Sequence, residues 1–269
     1  MNPRGHHFIA AIAIATVLTL CPSPVVAHAG AAPVKHESAI PAADIPAYIT
    51  AAIASPDRPA HDREMDAGRK SAQVMAFFGI KPGMKVADLW AGGGYNTEIL
   101  ARIVGPTGKV YSQNGPFPEK FKKNADIWHG RLKEPGMGNV VEVTKPFGSS
   151  DLLPVAPGTL DAVFINLDYH DLFNIGADPN KLNGQVLRAL KPGGIYAIVD
   201  NSAKTGSGIR DTKTLHRIDE AFVIKQVEHD GFRLAATSNV LRNPKDPRTQ
   251  PFWKIDHTQD RFMLKFVKP

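Results

Sequence analysis

The chain has 269 residues, of which 43% are hydrophobic and 22% charged, and a formal net charge of +6. These proportions belong to a folded globular chain and exclude whole-chain disorder or a fibrous repeat. The single cysteine, Cys21, excludes a disulfide framework and a cysteine-built zinc site. The small positive excess is not gathered into a long basic run, so no nucleic-acid partner is expected.

Residues 1–29 read as an address. Arg4 precedes an apolar run over residues 8–20, followed by Pro22, Pro24 and the small residues around Ala27 and Ala29. Such a run makes about 20 Å of helix, short of a hydrocarbon core of about 30 Å. A basic start, a short apolar stretch and an A-x-A end are the pattern of a cleaved secretory signal, which places the protein in the periplasm. Residues 30–42, rich in Ala and Pro, read as a flexible tether. Residues 43–269 then read as a single domain, and no membrane span is expected after cleavage.

Helical patterning covers residues 45–49, resumes after Pro59, and runs through Met65, Arg69, Val74 and Phe78 until Gly79, Pro82 and Gly83 stop it. Strand and helix then alternate: strand 85–90, helix 97–104, strand 109–112, a polar helix 119–132, and strands 140–143 and 161–165. Helix 182–190 is closed by Lys191, Pro192, Gly193 and Gly194, and strand 195–199 follows. A long amphipathic helix is expected over 212–228, then strands 232–241 and 261–267 with only a proline-rich loop between them. Short, all-apolar strands alternating with helices mean an α/β fold with a mainly parallel sheet covered on both faces. The last two strands lack an intervening helix, which makes their pairing antiparallel.

In such a sheet, ligands bind beyond the carboxyl ends of the strands. The first of these ends reads Asp88-Leu89-Trp90-Ala91-Gly92-Gly93-Gly94-Tyr95. Its glycines permit a tight turn and a close backbone approach to a ligand. No Gly-Lys-Ser/Thr follows, which excludes a Walker loop, and Thr97 stands where a dinucleotide fingerprint needs its third glycine. Asp88 suits a cationic ligand better than a pyrophosphate. Asn114 ends the next strand at the ribose-binding distance from the loop and can donate and accept to a diol. A later strand end carries Asn166, Asp168, His170 and Asp171, which offer a base and a carboxylate to orient it. The plainer reading of these residues, as helix caps and a packed imidazole, stands beside the catalytic one.

Residues 86–97 resemble motif I of the class I S-adenosylmethionine-dependent methyltransferases. Residues 161–171 and the segment Leu190-Lys191-Pro192-Gly193-Gly194 follow in that family's order and spacing, and Gly231-Phe232 precedes its closing strand. The resemblance covers residues 70–269 and is closest to exported predicted methyltransferases of unknown substrate. It implies a Rossmann-like, seven-stranded, mainly parallel sheet with helices on both faces and an antiparallel last strand. It implies S-adenosylmethionine as cofactor, with Asp88 and the backbone of Ala91, Gly92, Gly93 and Gly94 on the methionine end and Asn114 on the ribose. Tyr95, Ser149, Asp151 and Asn166 complete the implied cofactor set. Asp168, His170 and Asp171 fall on the acceptor side, and His216 joins them because the exported group carries a similar His-Arg-Ile-Asp.

The implied function is direct methyl transfer to a small-molecule or envelope substrate. Three departures support the alternative of an exported binding protein that kept the fold and lost the chemistry. Trp90 replaces the family's first glycine, Asn114 its ribose carboxylate, and Ser149 its adenine-binding acid, with Asp151 nearby. Similarity to catechol-type methyltransferases would make Asp200 and Asn201 metal ligands together with a carboxylate that aligns here with Asn166. That third ligand is displaced to Asp168, and no metal is assigned.

Overall fold

Strands that are apolar on both faces need cover on both sides, and the chain supplies it with helices between them. The computed structural model describes residues 34–37, 40–255 and 258–269, all within one compact unit. The expected signal segment and the start of the tether lie outside the described residues.

The elements follow in chain order as β1 (Lys35–Glu37), α1 (Ala47–Ile53), α2 (Ala60–Arg69), α3 (Ser71–Phe78), β2 (Lys85–Leu89), α4 (Tyr95–Val104) and β3 (Lys109–Asn114). Next come α5 (Lys122–Arg131), β4 (Val140–Thr144), β5 (Leu160–Asn166), α6 (Asp171–Asn174), α7 (Pro179–Ala189) and β6 (Leu190–Asn201). The last are α8 (Thr212–Leu215), α9 (Glu220–His229), β7 (Arg233–Ser238) and β8 (Arg261–Val267). Among the described residues no helix is long and apolar enough to cross a membrane.

The strands form one eight-stranded sheet in the order β1-β7-β8-β6-β5-β2-β3-β4. The run from β6 to β4 is parallel throughout. β8 lies antiparallel between β6 and β7. Side chains alternate across the sheet, as a period of two requires. Ala162 and Phe164 of β5 join the core under α3 and α4, whereas Val163 and Ile165 join the core that contains Leu182, Val186, Val223 and Val227.

Two expectations are corrected here. The sheet has one strand more than expected, and the extra strand is β1, inside the segment read as a flexible tether. Lys35, His36 and Glu37 pair in parallel with Ala236, Thr237 and Ser238, and the His36 ring is held by Thr237 Oγ1 at 2.8 Å and Asn239 Nδ2 at 2.7 Å. A Lys-His-Glu strand has no apolar alternation to betray it; the free edge of β7 supplies its order.

The long helix expected over 212–228 is in fact broken into α8 and α9. His216 between them takes φ 51°, Ile218 forms a single bridge to Ser202, and Asp219 caps α9 by accepting from the amide of Ala221 at 3.1 Å. Arg217 is fully buried in the break, where it pairs with Asp246 at 2.8 Å and donates to the carbonyls of Ser202 and Gln250. Side-chain tertiary contacts thus override a continuous helical pattern.

A buried ionic cluster joins the amino-terminal helices to the sheet. Arg131 of α5, 6% exposed, pairs with Asp62 of α2 at 2.6 Å and with Glu98 of α4. It also donates to the carbonyl of Gly93 at 2.7 Å. Removing one member of such a cluster leaves uncompensated charge out of water, at a cost of about 3–5 kcal/mol. Arg131→Ala should lower the unfolding free energy by about that amount in urea titrations, and adding Glu98→Gln should recover part of the loss.

Candidate functional site

The loop that leaves β2 turns through the left-handed region at Trp90 (φ 54°), Gly92 (φ 55°) and Gly94 (φ 83°). Trp90 pays for its unusual conformation with a ring contact, its indole lying 4.4 Å from the Phe147 ring centroid. The family's glycine is replaced here, but the backbone shape that glycine serves is kept. At Gly94 a Cβ would come within 2.7 Å of the Trp128 ring, so the close packing of α5 on the loop needs glycine.

The end of β3 clamps this loop. Gln113 accepts from the Trp90 amide through Oε1 at 3.1 Å, and its own carbonyl accepts from Ala91 at 3.0 Å. Asn114 accepts from the Gly92 amide at 2.8 Å and donates to the Gly92 carbonyl at 3.2 Å. Each end of the Asn114 amide thus bonds the loop, and the residue expected to meet a ribose is buried and braces it. Gln113 was not singled out by the sequence reading, because a polar residue near a strand end gives no sign of which backbone it will reach.

Asp88 is 1% exposed and accepts from Thr97 Oγ1 at 2.6 Å, with Ser112 Oγ another 2.9 Å beyond. Burial pushes its carboxyl up to about 7, against the pull of the Thr97 hydrogen bond. Tyr95 faces the amino-terminal helices: its hydroxyl meets Ser71 Oγ at 2.6 Å and Asp66, and the Arg69 guanidinium lies 4.1 Å above its ring. Ser149 receives Gln185 Nε2 on its carbonyl at 2.9 Å. Asp151 is exposed and bonded to Lys145, which holds its carboxyl below the usual range.

A narrow cavity beside the loop is lined by Arg69, Ser71, Asn96, Asn166, Leu167 and Arg261. Leu167, the first residue after β5, is itself left-handed at φ 68°. Arg261 donates to the Gly68 carbonyl at 2.9 Å, yet its Nε is buried without a hydrogen-bond partner. Burial and the neighbouring Arg69 draw its pKa down to about 10.

On the other side of Leu167 the ends of β5 and β6 build a polar cluster. Asp200 is wholly buried; one of its oxygens accepts from the His170 amide at 2.8 Å, and the other lies 2.8 Å from His170 Nδ1. The second oxygen also accepts from the Asn201 amide at 2.7 Å. Asp200, weighed from the sequence as a metal ligand or as a plain strand end, holds His170. His170 Nε2 meets His216 Nδ1 at 3.1 Å, and Asp171 Oδ1 lies 3.4 Å from each ring nitrogen.

The break between α8 and α9 brings His216 into this group, and its ring rests edge-on against Trp253 at 5.1 Å. Burial opposes protonation of His170, but Asp200, Asp171 and Asp168 prevail and carry its pKa up to about 9. Burial, together with the charge of His170, lowers that of His216. Asp168, half-buried, is raised well above the carboxylate range, mainly by burial. Of the expected acceptor-side residues, His170, Asp171 and His216 are in mutual contact, and Asp168 is within electrostatic reach of both His170 and Asp88.

The Asp88 shift has a sign that can be checked. Its carboxyl titrates near 3.8 when unperturbed and about 7 in the fold, so the folded state binds the extra proton between these values. Stability from this group falls as pH rises through that window. Asp88→Asn should therefore gain in Tm relative to the parent as melts move from about pH 5 to about pH 8. A constant difference would show that the carboxyl is not buried as described.

Residues 50–126 match the family description of protein-L-isoaspartate(D-aspartate) O-methyltransferase. A protein-L-isoaspartate O-methyltransferase from Aeropyrum pernix is 30% identical over 149 residues, 54% of this chain and 51% of that protein. A ubiquinone/menaquinone biosynthesis C-methyltransferase from Pasteurella multocida is 29% identical over 124 residues, 46% of this chain and 42% of that protein. The chain thus spans about half the length of the curated relatives it matches. Among solved structures, a SAM-dependent methyltransferase from Aquifex aeolicus superposes with a TM-score of 0.55 at 21% identity, over 81% of this chain and 97% of that one. The strand order, the clamped glycine loop after β2 and these likenesses agree with the fold and sequence pattern of the class I S-adenosylmethionine-dependent methyltransferases.

Proposed function

We propose that the protein transfers a methyl group from S-adenosylmethionine to a polar atom of an acceptor held at the ends of β5 and β6. The observation that carries this reading is the left-handed loop at 90–94, fixed by β3 beside the buried Asp88. When bound, the cofactor supplies an electrophilic methyl group on a sulfonium sulfur. The narrow cavity next to the loop is lined by groups of the kind its methionine end needs. Arg69 and Arg261 would face the carboxylate, and the unpartnered Nε of Arg261 is a buried donor in need of an acceptor. Asn96 and Asn166 line the same cavity and would take the remaining polar atoms.

Direct displacement asks little of the leaving group and much of alignment. Asp168 follows the cavity residue Leu167 in the chain, two residues before His170, and feels the charges of His170 and Asp88. With its pKa raised by burial, it takes a proton from the acceptor only once it is ionised, so turnover should rise with pH. His170, Asp171 and His216 orient that acceptor, with His216 the member open to solvent at 33% side-chain exposure.

The acceptor is a small molecule or an envelope component. The matching relatives are named for different acceptors, a protein isoaspartate and a quinone precursor, and the family match stops at residue 126, before the acceptor side. The envelope setting rests on the leader pattern of residues 1–29. Mass spectrometry of the periplasmic fraction should find a mature chain beginning near residue 30, and an intact leader in the cytosol would remove that setting.

Calorimetry with S-adenosylmethionine and S-adenosylhomocysteine tests the central reading. Both ligands should bind, and Arg69→Ala should weaken both by about tenfold or more, the value of a charged hydrogen bond. Asp168→Asn should keep cofactor affinity and lose turnover on any acceptor found by screening isoaspartyl peptides, quinols and envelope extracts. No heat with either ligand would leave the binding-protein alternative without its ligand as well.

A further inference from the structure

The polar cluster at the ends of β5 and β6 brings two imidazoles and a carboxylate together. His170 Nε2 and His216 Nδ1 lie 3.1 Å apart, and Asp171 Oδ1 lies 3.4 Å from each. A proton between the two rings with Asp171 as their counter-ion accounts for these separations, and so does a shared metal ion. A four-coordinate ion with bonds of about 2.0–2.1 Å holds its ligand atoms about 3.3 Å apart, which is the spacing of all three.

His170 and Asp171 are neighbours after β5, His216 comes from the break 45 residues on, and each is steadied from behind. Asp200 grips His170 at both its amide and Nδ1, leaving Nε2 turned toward the other two. This is the carboxylate–histidine arrangement that orients metal-binding imidazoles. Asn174 Nδ2 donates to Asp171 at 2.6 Å. His216 is held in a left-handed conformation at the break between α8 and α9, with its ring against Trp253. His170 is buried, Asp171 half-buried and His216 one-third exposed, so the cluster is closed on the β6 side and open on the side of His216.

We propose that His170 Nε2, Asp171 Oδ1 and His216 Nδ1 bind a divalent transition-metal ion of the zinc class, leaving a fourth position for water or a donor atom of the acceptor. Two imidazoles and one carboxylate select for such an ion over Mg²⁺ or Ca²⁺, which prefer an all-oxygen set. The site differs from the Asp200–Asn201 set weighed from the sequence, since the Asp200 carboxylate already serves His170 and the Asn201 amide. It also stands apart from the methyl-transfer reading: the three ligand atoms converge whether or not a cofactor binds in the loop.

Metal uptake by the full chain, read without any acceptor, tests this. Protein stripped with a chelator and dialysed against Zn²⁺ should retain one equivalent by elemental analysis, and Co²⁺ should give the intense visible bands of a four-coordinate nitrogen–oxygen site. Zn²⁺ titration calorimetry should show His216→Ala weakened by about 100-fold or more, and Asp200→Asn weakened by about 10–100-fold as the brace of His170 is lost. His229→Ala, which removes an exposed histidine paired with Asp230 on α9, should bind as the parent does. Circular dichroism checks that each variant is folded. The parent alone can overturn the proposal: substoichiometric Zn²⁺, equal affinity for Mg²⁺, or a six-coordinate aqua-like Co²⁺ spectrum would each do so, as would unchanged affinity in folded His216→Ala.

Discussion

Parallel strands all deliver their chain at the same end of the sheet, and every strand that feeds the site must stop and turn there within a residue or two. That constraint is met by left-handed backbone at Trp90 after β2 and at Leu167 after β5, while a third left-handed turn, at His216, brings in the remaining wall. None of the three is glycine, and each conformation is held by its surroundings. Gln113 and Asn114 grip the first turn, the Leu167 amide bonds to the Val199 carbonyl at 2.8 Å, and the His216 amide bonds to Thr212 at 3.1 Å. Backbone strain of this kind persists only where the rest of the structure over-determines it. The cofactor loop and the histidine cluster therefore owe their shapes to the same requirement.

The two halves of the site are differently buried. The loop side is packed from beneath by α5, where Trp128 and Arg131 touch the glycines and tie them to Glu98 and Asp62. The acceptor side is packed through β6, whose end residues Asp200 and Asn201 are wholly buried. Between them, the residues from Asn166 to Asp168 are only half-buried. The loop and the histidine cluster thus flank a less enclosed strip of chain.

Sequence periodicity carried the sheet well because the middles of β2, β5 and β6 are apolar, at residues 86–87, 162–165 and 195–199. What escaped was everything decided by partners distant in sequence. β1 has no pattern of its own. The break at His216 lies inside a helical pattern, and only Arg217 finding Asp246, with Ile218 finding Ser202, stops the helix there. Asn114 occupies the expected place but turns its amide to Gly92. Asp200 was noticed without its task being fixed, because a carboxylate at a strand end does not announce whether it faces an ion or an imidazole. Arg131 had no local signal at all, its partners lying 33 residues away at Glu98 and further still at Asp62.

The placement of β8 has a consequence for how the molecule is assembled. Residues 261–267 occupy an interior position of the sheet, zipped to β6 on one side and β7 on the other. Until they are available, β6 keeps an open edge, and β7 with β1 has no sheet to join. Arg261, the first residue of that strand, also completes the cavity beside the glycine loop. Closing the sheet and completing the cavity thus depend on the same strand, so a chain still being made has neither until its last residues are released.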